Sequence, residues 1–581
     1  MARKSRSKAL SKSKSRSQIQ THSPHRWPIG ILLLILVLSG ILRFIKLGEI
    51  PPGLHVDEAA NAWNAYTVLK TGKDQHGVQW PVFSMRAFGD NRTTSYMYAL
   101  LPFQAAGGFT VWTARFPAAI GGVVTVLLIY LLGTRLFDRW TGLIAAGLLA
   151  VNPWHVQISR YGHEAALVPP LIMVTLVALL WANMPLDDRE QGQARPLRAA
   201  LAGALAGISC YGYWAVRIFL PVFLPGAVLV AWRDWWDRLK TREGALAVGA
   251  LLVAFAVTFG PLAWKHFTDP EISKRGQAVS WVWDESDALG EKIQKVLSRY
   301  LGHFGPDFLF VNGDGDPALS PPPGVGLFHW YELPLMLLGL MTCAMRFKTS
   351  RAARVLLLWI ILYPAPDLLY SHVTLHSLRS LPGLTGFILL EAVGAVSAGR
   401  WLRQHQRGAL TAICSGMAIT LLILNVRFLH RFFGDFQRQK YNVLAFGADI
   451  LEAARWIRPR FKDVDAVFVT GSAAHPYIIM LMGLGYDPNQ WFRDVREIVP
   501  GPLPSGAYRN EDVYIRYGKV HFIFNESNLA AVDELLQNGR PDRVIFIVRP
   551  GELRFEKHTS PVYEIRNMDG QAVLWIFDFH L

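Results

Sequence analysis

Runs of about twenty apolar residues, separated by short polar stretches, recur along most of the chain. They lie roughly at 28–47, 116–136, 141–158, 166–183, 197–213, 217–232, 244–264, 325–345, 354–370, 380–399 and 408–426. A hydrocarbon layer of about 30 Å needs about 20 helical residues, and a helix satisfies its own backbone groups inside it. The pattern predicts a polytopic α-helical membrane protein with about eleven transmembrane helices. The first run, Ile29–Leu47, is long for a secretory signal and lacks a small-x-small cleavage site. It reads as an uncleaved helix.

Two stretches depart from this pattern. Residues 58–70 and 94–108 have helical periodicity but are too polar or too short to span, the second being broken by Pro102. Both read as interfacial helices in an outer loop, 48–115. A second long outer loop covers 265–324. Beyond about 428 the pattern changes again. Val467–Thr470, Val520–Phe524 and Val544–Val548 read as buried strands, 447–458 and 528–538 as helices, and 562–578 as a hairpin. This predicts a C-terminal extracytoplasmic α/β domain over 429–581, after a transmembrane domain over 28–428. It has no Gly-rich phosphate loop, so a lid or acceptor-binding module is expected there rather than a second enzyme.

Charge fixes the expected orientation. Residues 1–27 carry Arg3, Lys4, Arg6, Lys8, Lys12, Lys14, Arg16 and Arg26 with no acid, and read as a disordered cytoplasmic tail resting on anionic lipid. Nucleic-acid binding is not expected. With that tail inside, the inner loops hold the arginines, as in 232–243 (Arg233, Arg238, Arg242) and 346–354 (Arg346, Arg351, Arg354). The short outer loops hold one each, Arg160, Arg217 and Arg379, which obeys the positive-inside rule. The expected location is the bacterial cytoplasmic membrane, with the N-terminus cytoplasmic and the C-terminal domain outside. Across 581 residues the mean hydropathy is +0.22 and the formal net charge +15. Cys210, Cys343 and Cys414 are too far apart in sequence for a zinc motif or a disulfide framework.

Candidate chemistry concentrates in the outer loops. Asp57 and Glu58, in Pro51-Pro52-Gly53-Leu54-His55-Val56-Asp57-Glu58, place two carboxylates about ten residues past the first span. Asp57 reads as helix N-cap or as catalytic base, Glu58 as its partner or as first-turn support. The lone outer arginines, Arg160 beside Tyr161, Arg217 beside Tyr213 and Trp214, and Arg379 near His376, suit a phosphate held at the interface. Snorkelling or pairing with acids such as Glu164 is the alternative. Arg92, beside Asp90, is a fourth candidate. Asp90, Tyr161, His303 and Asp307 are candidate substrate contacts. A divalent metal ion is left open, because no tight spacing joins His303, Asp307, His372, His376 and Asp90. Asn312-Gly313-Asp314-Gly315-Asp316-Pro317 lacks the twelfth-position Glu of a calcium loop and reads as a plain turn.

Leu54-His55-Val56-Asp57-Glu58-Ala59, Thr71-Gly72-Lys73-Asp74-Gln75-His76-Gly77, Ala87-Phe88-Gly89-Asp90 and Arg115-Phe116-Pro117 follow one another in the first outer loop. Asn152-Pro153, Ser159-Arg160, His303-Phe304-Gly305-Pro306-Asp307 and His376-Ser377-Leu378-Arg379-Ser380-Leu381-Pro382 continue the series. Together they resemble bacterial GT-C glycosyltransferases of the protein O-mannosyltransferase / aminoarabinose-transferase clan. That resemblance implies a polyprenyl-phosphate sugar donor and a catalytic Asp in the first outer loop, here Asp57. Where relatives carry an acidic-basic pair before the second span, this chain carries Asn91-Arg92, with Asp90 adjacent.

The expected function is inverting transfer of a sugar from a polyprenyl-phosphate donor to an extracytoplasmic acceptor hydroxyl, on protein, lipid or glycan. A transporter or flippase of a lipid-linked anionic sugar is the rival. It would favour ionisable groups near the bilayer midplane rather than in outer loops. A non-catalytic scaffold presenting the C-terminal domain is a third reading.

Overall fold

The computed structural model describes residues 27–189, 192–270, 272, 288–316, 321, 322, 324–368, 370, 375–434, 440–473, 475–498, 513–524, 537, 539, 541–552, 559–567 and 569–581. The tail before Trp27, His372 and most of the expected helix 528–538 lie outside these residues.

Every expected span contains helix, but the helices differ in length. Among the described residues five are long and apolar enough to cross a membrane: Val111–Leu136, Glu164–Trp181, Arg242–Thr268, Leu381–His405 and Thr411–Phe433. Shorter apolar helices occupy Pro28–Phe44, Arg139–Val151, Pro196–Ser209 and Glu332–Met345. The span expected at 217–232 is a pair, Trp214–Val230 and Trp232–Leu239, bent by 82°. That expected at 141–158 breaks at Asn152, whose side chain accepts from His155 N–H at 3.0 Å and so starts a new helix at Pro153.

Small residues let these helices approach closely, which is how helices pack without a hydrophobic driving force between them. Gly203 and Gly207 of Pro196–Ser209 face Arg242–Thr268. A Cβ on Gly207 would meet Thr258 Oγ1 at 2.0 Å, and one on Gly203 would meet the Leu251 carbonyl at 2.1 Å. The loops rich in arginine gather at one end of the bundle. Arg135 pairs with Asp187 (2.7 Å), Arg351 with Asp234 (2.8 Å) and Arg400 with Asp138 (2.6 Å). Arg115 lies on the same helix as Arg135 but twenty residues earlier, about 30 Å away. It donates to Leu47, Pro51, Gly53 and Glu58 of the Asp57 loop, which therefore occupies the opposite end.

The Asp57 loop contains both expected helices. The helix Val56–Thr71 has ten buried residues and is covered by the C-terminal region: Trp63 meets Trp491 at 5.9 Å, and Trp491 Nε1 donates to the Gln75 carbonyl at 3.0 Å. The helix Ser95–Gly107 follows, buried on one side through Tyr96, Met97, Leu100 and Gln104. Between them β1 (Met85–Ala87) and β2 (Asp90–Arg92) form a short hairpin.

Among the described residues the C-terminal region holds a mixed sheet of seven strands. Its strands are β3 (Ala466–Thr470), β4 (Arg496–Ile498), β5 (Tyr514–Tyr517), β6 (Val520–Ile523), β7 (Arg543–Val548), β8 (Tyr563–Arg566) and β9 (Ala572–His580), in the order β4-β5-β6-β3-β7-β9-β8. β3 runs parallel to β6 and β7, and the other pairings are antiparallel. All five residues of β3 are buried, which is why it reads as a continuous apolar run. The helices Ala448–Ile457 and Pro476–Leu484 pack together beside this sheet.

Candidate active site

The site begins with a helix start. His55 has extended backbone and accepts the Asp57 N–H on its ring (3.3 Å), while Glu58 Oε2 reaches back to the His55 N–H (3.0 Å). This reciprocal capping box satisfies two donors that a helix N-terminus leaves free. The cap is therefore His55, not Asp57, and Asp57 in the first turn keeps its carboxylate for other partners.

Those partners surround it. Arg92 Nη2 lies 2.7 Å from Asp57 Oδ1, and His163 Nε2 3.4 Å from Oδ2. His163 Nδ1 accepts the Ala165 N–H at 2.9 Å, which leaves the ring proton on Nε2, facing Asp57. His55 stands 3.7 Å from the same carboxylate and accepts the Tyr161 hydroxyl at 2.8 Å. Tyr161 stacks on His163 at 5.2 Å. Behind Arg92, Glu164 approaches to 4.0 Å and is itself held by Asn61 Nδ2 at 3.0 Å.

Burial alone would raise the Asp57 pKa, but Arg92, the His163 hydrogen bond and the nearby imidazoles outweigh it and hold the carboxyl well below the usual range. Burial alone would lower the Arg92 pKa, yet Asp57 and Glu164 keep it above the ordinary arginine value. The result is a half-buried carboxylate and a buried guanidinium locked together.

Other expected site residues have different surroundings. Glu58 is fully buried: it accepts Arg115 Nε at 2.9 Å, Arg115 Nη2 at 3.0 Å and the Gly162 N–H at 2.6 Å, so it touches no open space and anchors the loop. Arg160 does not face a phosphate position. Its two terminal nitrogens donate to the carbonyls of Leu42, Arg43, Ile45, Lys46 and Ile50, at 2.8–3.2 Å. It ties down the unsatisfied carbonyls at the end of the helix Trp27–Phe44. Arg217 donates Nε to the Cys210 carbonyl at 3.0 Å and lies 4.8 Å over Trp214. Its Nη2 is buried with no hydrogen-bond partner among the described residues.

Arg379 and His376 belong to a separate cluster centred on the fully buried Asp367. Arg299 Nη2 lies 2.9 Å from that carboxylate, His303 Nε2 3.2 Å, Arg379 Nη1 3.5 Å, and the His376 N–H donates to it at 3.2 Å. Asp307 accepts Asn312 Nδ2 at 2.7 Å, away from Asp57's partners. Asp90 pairs with Ala87 at the end of the β1–β2 hairpin, two residues from Arg92. Among the described residues no three His, Cys, Asp or Glu converge to hold a metal ion.

His163, Glu164, Asp367, Arg299 and Arg115 carry much of this geometry without being singled out for it by sequence. His163 and Glu164 had one signal, their place directly after Arg160-Tyr161 in the same border loop. Asp367 had none, because its partners lie 9 to 68 residues away.

Residues 64–264 match the family dolichyl-phosphate-mannose-protein mannosyltransferase. No curated protein matches the chain at a significant level. Among solved structures, ArnT from Cupriavidus metallidurans bound to undecaprenyl phosphate is similar with a TM-score of 0.51 and 12% identity, covering 94% of this chain and 98% of that one. The apo state of the same protein is similar with a TM-score of 0.50, 12% identity and the same coverage. The archaeal oligosaccharyltransferase AglB from Archaeoglobus fulgidus, in complex with an inhibitory peptide and a dolichol-phosphate, gives a TM-score of 0.46 at 14% identity, covering 90% of this chain and 69% of that one. The family match covers about a third of the chain, and the chain shares the ArnT fold over nearly its whole length: it is a multi-pass helical membrane protein with that fold.

Proposed function

We propose that this protein transfers a sugar from a polyprenyl-phosphate donor to an acceptor hydroxyl on the extracytoplasmic side of the bacterial cytoplasmic membrane, with inversion at the anomeric carbon. The observation that carries the reading is the 2.7 Å contact between Asp57 and Arg92. It brings a carboxylate base and an anion-binding cation to one point, at the end of the bundle away from the arginine-rich loops. The ArnT structure with undecaprenyl phosphate supports a lipid phosphate as the donor's leaving group.

In this mechanism the donor phosphate takes Arg92, and Asp57 is released toward the acceptor. Asp57 removes the acceptor hydroxyl proton as that oxygen bonds to the anomeric carbon from the face opposite the leaving group. The bond from the anomeric carbon to the phosphate oxygen breaks, and polyprenyl phosphate departs with its electron pair, its charge held by Arg92. Arg217, whose Nη2 has no hydrogen-bond partner among the described residues, is a second phosphate contact in this reading, and Tyr161 and Asp90 border the sugar. The divisions 1–27, 28–428 and 429–581 serve as tail, catalytic bundle and acceptor-side unit.

Purified full-length protein in lipid, given labelled polyprenyl-phosphate sugar and a cell-envelope acceptor fraction, should produce a labelled acceptor, and Asp57→Asn should not. Movement of the intact lipid-linked sugar across the bilayer without transfer would establish the carrier reading instead. One observation favours that alternative: both carboxylate oxygens of Glu391, inside the helix Leu381–His405, are buried without a partner among the described residues.

A further inference from the structure

The C-terminal sheet region grips the Asp57 loop at three points. The Leu54 N–H donates to the Phe446 carbonyl at 2.7 Å, and the Phe446 ring lies 6.2 Å from His55 and 5.9 Å from the Arg115 guanidinium. Trp491 holds the Gln75 carbonyl and packs on Trp63. These two contacts secure backbone and core.

The third contact bears on the site itself. The His475 ring sits 4.1 Å from that of Phe88, and Phe88 lies 5.2 Å under the Arg92 guanidinium. Phe88 and Gly89 form the β1–β2 turn with φ of 58° and 72°, the left-handed pair that a tight two-residue hairpin requires. A bulky residue with positive φ needs external support. His475 is 5% exposed, has φ of 42°, and starts the helix Pro476–Leu484 from the sheet region. Burial first, then the charge of Arg92, push its pKa down to about 4, against the opposing pull of Asp57. A neutral ring therefore packs on Phe88 without setting a second cation beside Arg92.

We propose that His475 is a positioning residue of the transfer site: by holding the Phe88–Gly89 turn it fixes where Arg92 presents its guanidinium beside Asp57. The C-terminal sheet region is then a working part of the site, contributing through the β1–β2 hairpin. The inference rests on the reading of Arg92 as the donor-phosphate contact.

Two variants of the full-length protein in lipid test it. His475→Asn removes the ring but keeps a residue that tolerates left-handed backbone, and His475→Phe keeps a ring. Hydrogen exchange of residues 85–92 should quicken about fivefold or more in His475→Asn and stay near wild type in His475→Phe. The donor KM should rise about tenfold in His475→Asn with kcat within about twofold, because a displaced Arg92 weakens donor capture, and His475→Phe should restore it. Unchanged exchange in His475→Asn would overturn the proposal. So would a fall in melting temperature with kcat lost and KM intact, since that marks simple destabilisation. If the hairpin loosens while even the wild type fails to use any polyprenyl-phosphate sugar, the positioning role stands and the reading of the reaction fails.

Discussion

Arg92 Nη2 lies 2.7 Å from Asp57 Oδ1 while His163 Nε2 lies 3.4 Å from Oδ2, so both oxygens of the candidate base are engaged before any ligand arrives. A carboxylate held this way is ionised and aimed, but it becomes a free base only when something else takes Arg92. In the proposed reaction an anionic donor does that, and the same event that delivers the sugar then releases the base. This coupling makes the pair the first target for mutation.

Asp57→Asn keeps the shape of the side chain and removes the proton acceptor. Transfer should fall by about 10²–10⁴-fold, the range general-base catalysis supplies. Arg92 retains Glu164 at 4.0 Å, so the thermal midpoint should move less than in Glu58→Gln. Single-turnover transfer beside a melting curve on the same preparation checks both halves. Transfer within about tenfold of wild type would remove Asp57 from the base role.

The acid limb of activity follows from the same contacts. With its pKa held well below normal, Asp57 stays ionised as pH falls past about 3.9, and its share of folding stability, complete above that value, is lost only as pH drops through the lower folded-state pKa. Arg92→Gln removes the leading cause of the depression and leaves burial, which raises the pKa, less opposed. The acid limb of kcat/KM should move to higher pH in Arg92→Gln. A pH–rate profile over the acid range reads this directly, and an unmoved limb would separate Arg92 from the titration of Asp57.

How much of this was legible before folding depends on how local each cause is. The helix after Asp57 and the burial of β3 follow from short-range patterns, and both were readable. Arg160 reads as a phosphate ligand because Tyr161 and His163 stand beside it. Its five carbonyl partners come from residues 42–50, more than a hundred positions earlier, and nothing nearby announces them. The edge strands β4 and β5 are three and four residues long and carry Arg496, Glu497 and Arg516, so no apolar run marks them. What covers the helix at 58–70 was hidden for a related reason: Trp491, which packs on Trp63, lies more than four hundred residues away.

Arg92→Lys separates charge from geometry. Lysine keeps the cation but offers one compact ammonium in place of a planar fork, so it cannot touch Asp57 while also facing Phe88 as the guanidinium does. Donor KM should rise about tenfold and kcat should change less, whereas Arg92→Ala should lose both. Steady-state kinetics over a range of donor concentrations distinguishes the two, and a wild-type KM in Arg92→Ala would show that the phosphate binds elsewhere.

Glu58 differs from its neighbour in what surrounds it, and its substitution should therefore act on stability. Its carboxylate receives Arg115 twice, the Gly162 N–H and the His55 N–H. Arg115 in turn donates to the carbonyls of Leu47, Pro51 and Gly53, so one buried ion pair closes the whole Asp57 loop. Glu58→Gln leaves the guanidinium buried with its carbonyls but without its counter-charge, a change that costs about 3–5 kcal/mol when a buried pair is broken. Thermal unfolding in detergent should show that loss, while the protein that stays folded keeps most of its transfer rate. The reverse result, normal unfolding with transfer abolished, would make Glu58 part of the reaction and demote the capping box to an incidental contact.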